Sequence, residues 1–98
     1  KILVRNFKPE DIIEFIASTM NVSRTHLYMK YSRKLVRAKA LTVVLMRSLC
    51  NFKSSDISST LGNITQARVS RLSTIGIELI GTEEKYENII MDFIKRYA

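Results

Sequence analysis

Residues 54–72, SSDISSTLGNITQARVSRL, decide how this chain is read. Ile57 and Leu61 lie four apart, one helical turn, so a short helix over 55–61 turns both to the same side, with Ser54 suited to cap it. Gly62 follows where a helix commonly ends on a left-handed residue, a conformation glycine adopts without a side-chain clash. Asn63 and Ile64 make a tight connection. Thr65 is a second N-cap candidate, and Val69, Leu72, Gly76, Leu79 and Ile80 recur on one face of a longer helix reaching about Ile80. A short helix, a glycine-containing turn and a longer helix form the helix-turn-helix arrangement.

Outward from that core the chain continues in helices. Gly and Pro are scarce, three and one in 98 residues, which argues against long loops. A first helix is expected over Pro9–Met20, with Pro9 in its first turn, Glu10 and Asp11 at its positive end, and Asn21 closing it. Ser23 opens a short second helix that turns Leu27 and Tyr28 inward. A third, Arg33 to Cys50, has a basic start and then little polar face, so it is expected at the centre of the core. A last helix is expected from Thr82, as N-cap, to Tyr97, with Tyr86, Ile89, Ile90, Phe93, Ile94 and Tyr97 as its apolar stripe. The expectation is a single all-α domain of five to six helices around a long central helix, containing the helix-turn-helix, in a fragment of a longer protein.

The charge is uneven. The chain carries 16 Lys and Arg against 9 Asp and Glu, a formal +7. From Phe15 to Ile77 the only acid is Asp56, against ten bases. A field of that sign attracts a polyanion, with nucleic acid foremost. A recognition helix places its leading side chains in the major groove, and here those are Thr65, Gln66, Ala67 and Arg68, with Ser70 and Arg71 a turn later. Gln66 has the donor–acceptor pair that grips adenine, and Ala67 can meet a thymine methyl. Arg68 either forks to guanine or holds a phosphate; Thr65 either caps its helix or bonds a base. Arg33, Lys34, Arg37 and Lys39 at the start of the long helix, and the hydroxyls of Ser54 and Ser55, are candidates for the sugar–phosphate backbone. The alternative is a helical protein-interaction or dimerisation module, built on the stripe of the last helix or on Ile75, Ile77 and Ile80.

The run Arg37-Ala38-Lys39-Ala40-Leu41-Thr42-Val43-Val44-Leu45, then Asp56-Ile57, Leu61-Gly62 and Val69, resembles the C-terminal DNA-binding domain of the bacterial replication initiator DnaA. The likeness runs without a gap from Arg37 to Leu72, and the Asn21-Val22-Ser23 segment fits it too, about three quarters of the chain in all. It implies a Trp-repressor-like helical fold. By the resemblance, Lys39 stands where the family has a backbone-contacting Arg, and Arg47 where it has a Lys. Ser54 and Ser55 occupy the phosphate-holding start of the short helix. Thr65, Gln66 and Ala67 fall on the base-reading Asp-His-Thr, and Arg68 replaces a second Thr. Val69-Ser70-Arg71 is closer to the DnaA-like domain behind the catalytic part of single-strand-acting tyrosine transposases. The resemblance implies double-stranded DNA as partner, in a transposase-related, replication or regulatory protein.

Other classes find little support in the sequence. No apolar run approaches the ~18 residues of a membrane span. His26 and Cys50 are the sole histidine and cysteine, on different expected helices, and match no zinc spacing. Cys50 ends an apolar helix and reads as a buried structural thiol. Neither a Gly-rich phosphate loop nor a catalytic constellation is present. The expectation is a non-enzymatic domain without cofactor, metal, membrane or small-molecule substrate, and a single thiol fits a reducing cytoplasm, with the DNA of the nucleoid as the site of action.

Overall fold

The structure, a computed structural model, describes residues 8–28 and 33–97. Residues 29–32 lie outside the described residues, as do the side chains of Tyr28, Arg33 and Lys34. Five α-helices form among the described residues, in an all-α arrangement: α1 (Pro9–Met20), α2 (Arg33–Val44), α3 (Ser54–Thr60), α4 (Gln66–Thr82) and α5 (Glu84–Tyr97).

α1 has the expected bounds. The Asp11 carboxylate accepts the Lys8 backbone N–H at 3.0 Å, which ties down the first turn. Asn21 ends the helix in the left-handed region (φ 54°), and the Val22 N–H donates to the Ala17 carbonyl at 3.0 Å. Ile12, Ile13, Phe15, Ile16 and Ala17 are buried beneath it. The segment after Ser23 is a 3-10 turn, Thr25–Tyr28, in place of an α-helix, and it carries Leu27 fully into the core.

α2 continues from Val44 into a π-helical turn, Leu45–Leu49, so the expected single helix to Cys50 changes its hydrogen-bond ladder partway. The Cys50 N–H reaches back five residues to Leu45 O (3.1 Å) and the Phe52 N–H six to Met46 O (2.9 Å). Asn51, at φ 56°, then reverses the chain. Every residue from Ala38 to Met46 is buried, including Lys39 and Thr42. The Thr42 hydroxyl is satisfied by donating to Ala38 O at 2.9 Å.

Sequence reading expects the 33–50 helix alone at the centre; the structure shares that place between two helices. α2 is the most enclosed element, while α4 is the longest and packs against α2, α3 and α5. Their approach is close at Gly76: a Cβ there would lie 2.5 Å from Val44 Cγ2 and 2.7 Å from Ala40 O. Gly81 does not break α4, which runs on to Thr82. Thr82 therefore does not cap the last helix; its hydroxyl donates back to Glu78 O at 2.9 Å, and Glu83 alone, extended at φ −129°, separates α4 from α5.

α5 lays its stripe inward. Tyr86 and Phe93 are buried, with Ile89, Ile90 and Tyr97 packed half-buried at their sides. Phe15 of α1 meets the Phe93 ring edge-on at 5.1 Å between centroids, and Tyr97 closes the group at 4.9 Å from Phe93. The stripe closes the core of this chain. Ile75 and Ile80 are likewise half-buried against the core, leaving Ile77 alone of that trio exposed, at 60%.

Candidate nucleic-acid interface

The α3–turn–α4 unit is fixed by backbone hydrogen bonds. The Gly62 N–H donates to Ser59 O (3.3 Å) and the Asn63 N–H to Ser58 O (2.8 Å), the paired bonds of a Schellman motif. Gly62 takes φ 86° and Asn63 φ 60°, so two successive left-handed residues turn the chain back. The Ser58 hydroxyl donates to the Ile64 carbonyl, pinning the far side of the turn to α3. Leu61 and Ile57 are buried under it.

α4 then begins at a capped end. The Thr65 hydroxyl oxygen accepts the Arg68 backbone N–H at 3.0 Å. Of the two roles open to Thr65, the cap is the one formed. Gln66, Ala67, Ser70, Arg71 and Thr74 are exposed, Arg68 is half-buried, and Val69, Leu72 and Gly76 face inward. The start of α3 differs from expectation. Lys53 occupies the N-cap position and Ser54 is the first helical residue, and no side chain caps this helix. Ser54 is half-buried, while Ser55 and Lys53 are exposed.

The backbone candidates of α2 do not stay together. Lys39 is only 4% exposed, on the helix that packs against α4. Burial first, and the Arg68 charge second, hold its ammonium below the usual 10.5. Arg37 points elsewhere: two residues away is a rotation of about 200° around a helix. It lines a groove of about 500 Å³ with Thr19, Met20, Lys85, Tyr86 and Ile89, between α1, α2 and α5. Arg33 and Lys34 start α2, their side chains outside the described residues. Arg47 is exposed on the π-helical turn, which packs against α1 and α3.

The charges of α4 oppose its own dipole. A helix N-terminus carries partial positive charge and favours acids, worth about 0.3–1 kcal/mol each. α1 and α5 obey, opening on Glu10 and Asp11 and on Glu84 and Glu87, and α5 closes on Lys95 and Arg96. α4 does the reverse. Its first turn has no acid and its last no base; Arg68 and Arg71 lie near its start, Glu78 and Glu83 near its end. α2, opening on Arg33 and Lys34, shares the inversion at its start. No carboxylate among the described residues forms an ion pair with Arg37, Arg47, Lys53, Arg68 or Arg71; the pairs present join Arg24 to Glu14, Lys85 to Glu83 and Arg96 to Asp92. The basic positions around the leading end of α4 are thus costly to the fold and face solvent without acids.

The chain gives no match when compared with family models, with curated proteins or with solved structures. Function is therefore read from the chain's own geometry.

Sequence reading did not single out Thr74 or Lys53. Thr74 lies two turns beyond Ala67 on the outward face of α4, a position found only by extending the helical phase past the leading turn. Lys53 was visible as a base beside Ser54-Ser55, but the cap position it occupies depends on where α3 starts. As for other chemistry, burial raises the Cys50 thiol to about 11, so at neutral pH it is protonated. No helix among the described residues is long and apolar enough to cross a membrane.

Proposed function

We propose that this domain binds double-stranded DNA with sequence preference through a helix-turn-helix formed by α3 and α4, as a DnaA-like domain of a transposase-related, replication or regulatory protein. The observation that carries the reading is the leading end of α4. It is capped, exposed, and basic where the helix dipole favours acid. A polyanion turns that unfavourable placement into attraction, because phosphates accept both the arginines and the positive helix end.

In this reading α4 enters the major groove by its first two turns. Gln66 pairs with a base edge, adenine being the best match to its amide, and Ala67 packs on a thymine methyl. Arg71, a turn further on, reaches a base on the same face. Lys53, the Ser55 hydroxyl and Arg47 hold the flanking backbone, fixing register without reading sequence. Glu78 and Glu83 mark where the helix leaves the duplex. The domain itself needs no cofactor and performs no catalysis.

The test is competition between a duplex selected from a random pool and unselected duplex. Gln66→Ala is expected to narrow the ratio of the two affinities about tenfold, a bidentate base contact being worth about 1–3 kcal/mol of discrimination. An unchanged ratio would remove α4 from the reading role.

A further inference from the structure

Two cations that the duplex reading leaves unused stand on different walls of one groove. Arg37 of α2 and Lys85 of α5 line it with Thr19 and Met20 of α1 and Tyr86 and Ile89 of α5, around a volume of about 500 Å³. That is within the range of sites that bind small ligands and side chains. Its apolar surface is recessed: Met20 and Ile89 are half-buried against the core, and Tyr86 is 3% exposed. Such a surface is covered by a side chain that enters the groove, not by a flat one laid across it. The charges are open by contrast. Arg37 is exposed and has no carboxylate partner among the described residues. The Lys85 ammonium lies 5.0 Å from the centroid of the Tyr86 ring, over its face. Its ion pair with Glu83, at 4.0 Å, is a surface pair; pairs of that kind contribute at most about 1 kcal/mol and yield to a better-placed carboxylate. The α5 wall of the groove lies just past the tail of α4, Lys85 following Thr82 by three residues. Gln66 is at the opposite end of that 17-residue helix, about 25 Å away at 1.5 Å per residue.

We infer that the groove between α1, α2 and α5 docks an acidic segment of a partner protein, one apolar side chain entering over Met20, Tyr86 and Ile89 while carboxylates on either side of it pair with Arg37 and Lys85. The occupant follows from the chemistry of the walls. A duplex offers phosphates but no projecting apolar group to fill the recess. A bilayer surface is flat, and the apolar atoms here lie below the rim. A peptide supplies both parts within a few residues, an apolar anchor and flanking acids. Burial of the anchor contributes most of the affinity, and the two cations decide which segments are accepted, since a basic segment meets like charge on two walls. Occupation of the groove does not require duplex binding. With α4 seated on DNA by its leading end, the groove at the tail of that helix stays open, so the domain can hold a second protein beside its site.

The experiment titrates the isotopically labelled domain with a short peptide in which one leucine is flanked on each side by an Asp-Glu pair, and follows amide and methyl NMR shifts. Two counterparts carry serine in place of the leucine, or Lys-Lys in place of each acidic pair. Shifts are expected at Thr19, Met20, Arg37, Lys85, Tyr86 and Ile89. The serine peptide should bind about tenfold more weakly or worse, the loss of one buried leucine, and the lysine peptide should leave the groove unmoved. Arg37→Glu and Lys85→Glu, both at exposed positions, should each weaken the acidic peptide about fivefold. Lys95→Glu, the same change of net charge at the far end of α5, should alter it less than about twofold at physiological salt. Random duplex added to the complex should leave the groove shifts in place. No groove shifts at millimolar peptide, equal binding of the leucine and serine peptides, or shifts confined to Gln66–Arg71 and removed by duplex would overturn the site, the last two leaving only attraction of acid to a basic domain. Vesicles of anionic lipid that move these groove signals while the peptide does not would give the groove to a membrane and overturn it as well. Absence of duplex binding by the wild-type domain would remove the reading of α4 and leave the groove shifts as they are, so the two failures are distinct.

Discussion

Gly76→Ala tests the packing that aims α4. The added Cβ would lie 2.5 Å from Val44 Cγ2, 2.7 Å from Ala40 O and 3.1 Å from Ala40 C. Carbon atoms in contact sit about 3.5–4.0 Å apart, so α2 and α4 must separate by roughly 1 Å or the Val44 side chain must turn. Valine in a helix has one strongly preferred rotamer, and the Ala40 carbonyl belongs to the backbone, so neither neighbour yields easily. Overpacking of this kind costs about 1–3 kcal/mol. Alanine is the better helix former by about 1 kcal/mol, which offsets part of the loss. The net expectation runs from no change to a loss of about 2 kcal/mol, a fall in Tm of up to roughly 15 °C for a domain this size. Gly81→Ala is the internal control, since a Cβ there meets nothing within 4 Å. It keeps the propensity gain alone and should raise stability by about 0.5–1 kcal/mol. Thermal and urea unfolding followed by circular dichroism give both values. Gly76→Ala as stable as Gly81→Ala would refute the close approach of the two helices.

Two further predictions concern titratable groups. Because Lys39 titrates below 10.5 in the folded chain, the unfolded chain holds that proton to higher pH, so this residue makes stability rise with pH between its lowered value and 10.5. Lys39→Met should abolish that rise, read from urea unfolding across alkaline buffers; a rise that persists unchanged in the variant would contradict the lowered ammonium. Cys50, raised to about 11 by burial, should react slowly with a thiolate-selective reagent at pH 8 and faster as pH approaches 11. Rapid labelling of the folded domain at pH 7 would place this thiol in a different environment.

Much of the fold is legible because local chemistry and burial agree. Pro9, Asp11 and Asn21 bound α1 by rules that involve only near neighbours, and the structure keeps those bounds. Gly62 and Thr65 are placed by equally local requirements, a positive φ and a capping hydroxyl. Mismatches arise where distant contacts override the local signal. The change from α to π at Leu45 gives no signature in sequence, since both ladders suit the same apolar run. Ser54 is a better cap than Lys53 by propensity, yet the chain leaves Phe52 half-buried and enters α3 one residue early. Gly81 reads as a helix end, but α4 runs through it, its glycine in ordinary helical conformation.

The candidate site divides in the same way. Exposure of Gln66, Ala67, Ser70 and Arg71 follows from the period of α4, and so is readable from residue spacing. The arrangement of the α2 bases is not. Arg37 and Lys39 look like one cluster in a linear chain, and a rotation of two residues sends them to different sides. That Lys39 is covered while Arg37 is exposed depends on how α2 packs against α4. A base covered at the contact between two helices is a feature of tertiary packing, invisible to periodicity.

The most direct measurement is equilibrium binding of the domain to a fluorescent duplex over a range of salt concentrations. Arg47, Lys53 and Arg68 as phosphate contacts predict a fall of log affinity with log salt of slope about −3, retained on both selected and random duplex. A slope near zero, or no duplex binding at low salt, would contradict the claim that the basic, outward-facing start of α4 exists to meet DNA.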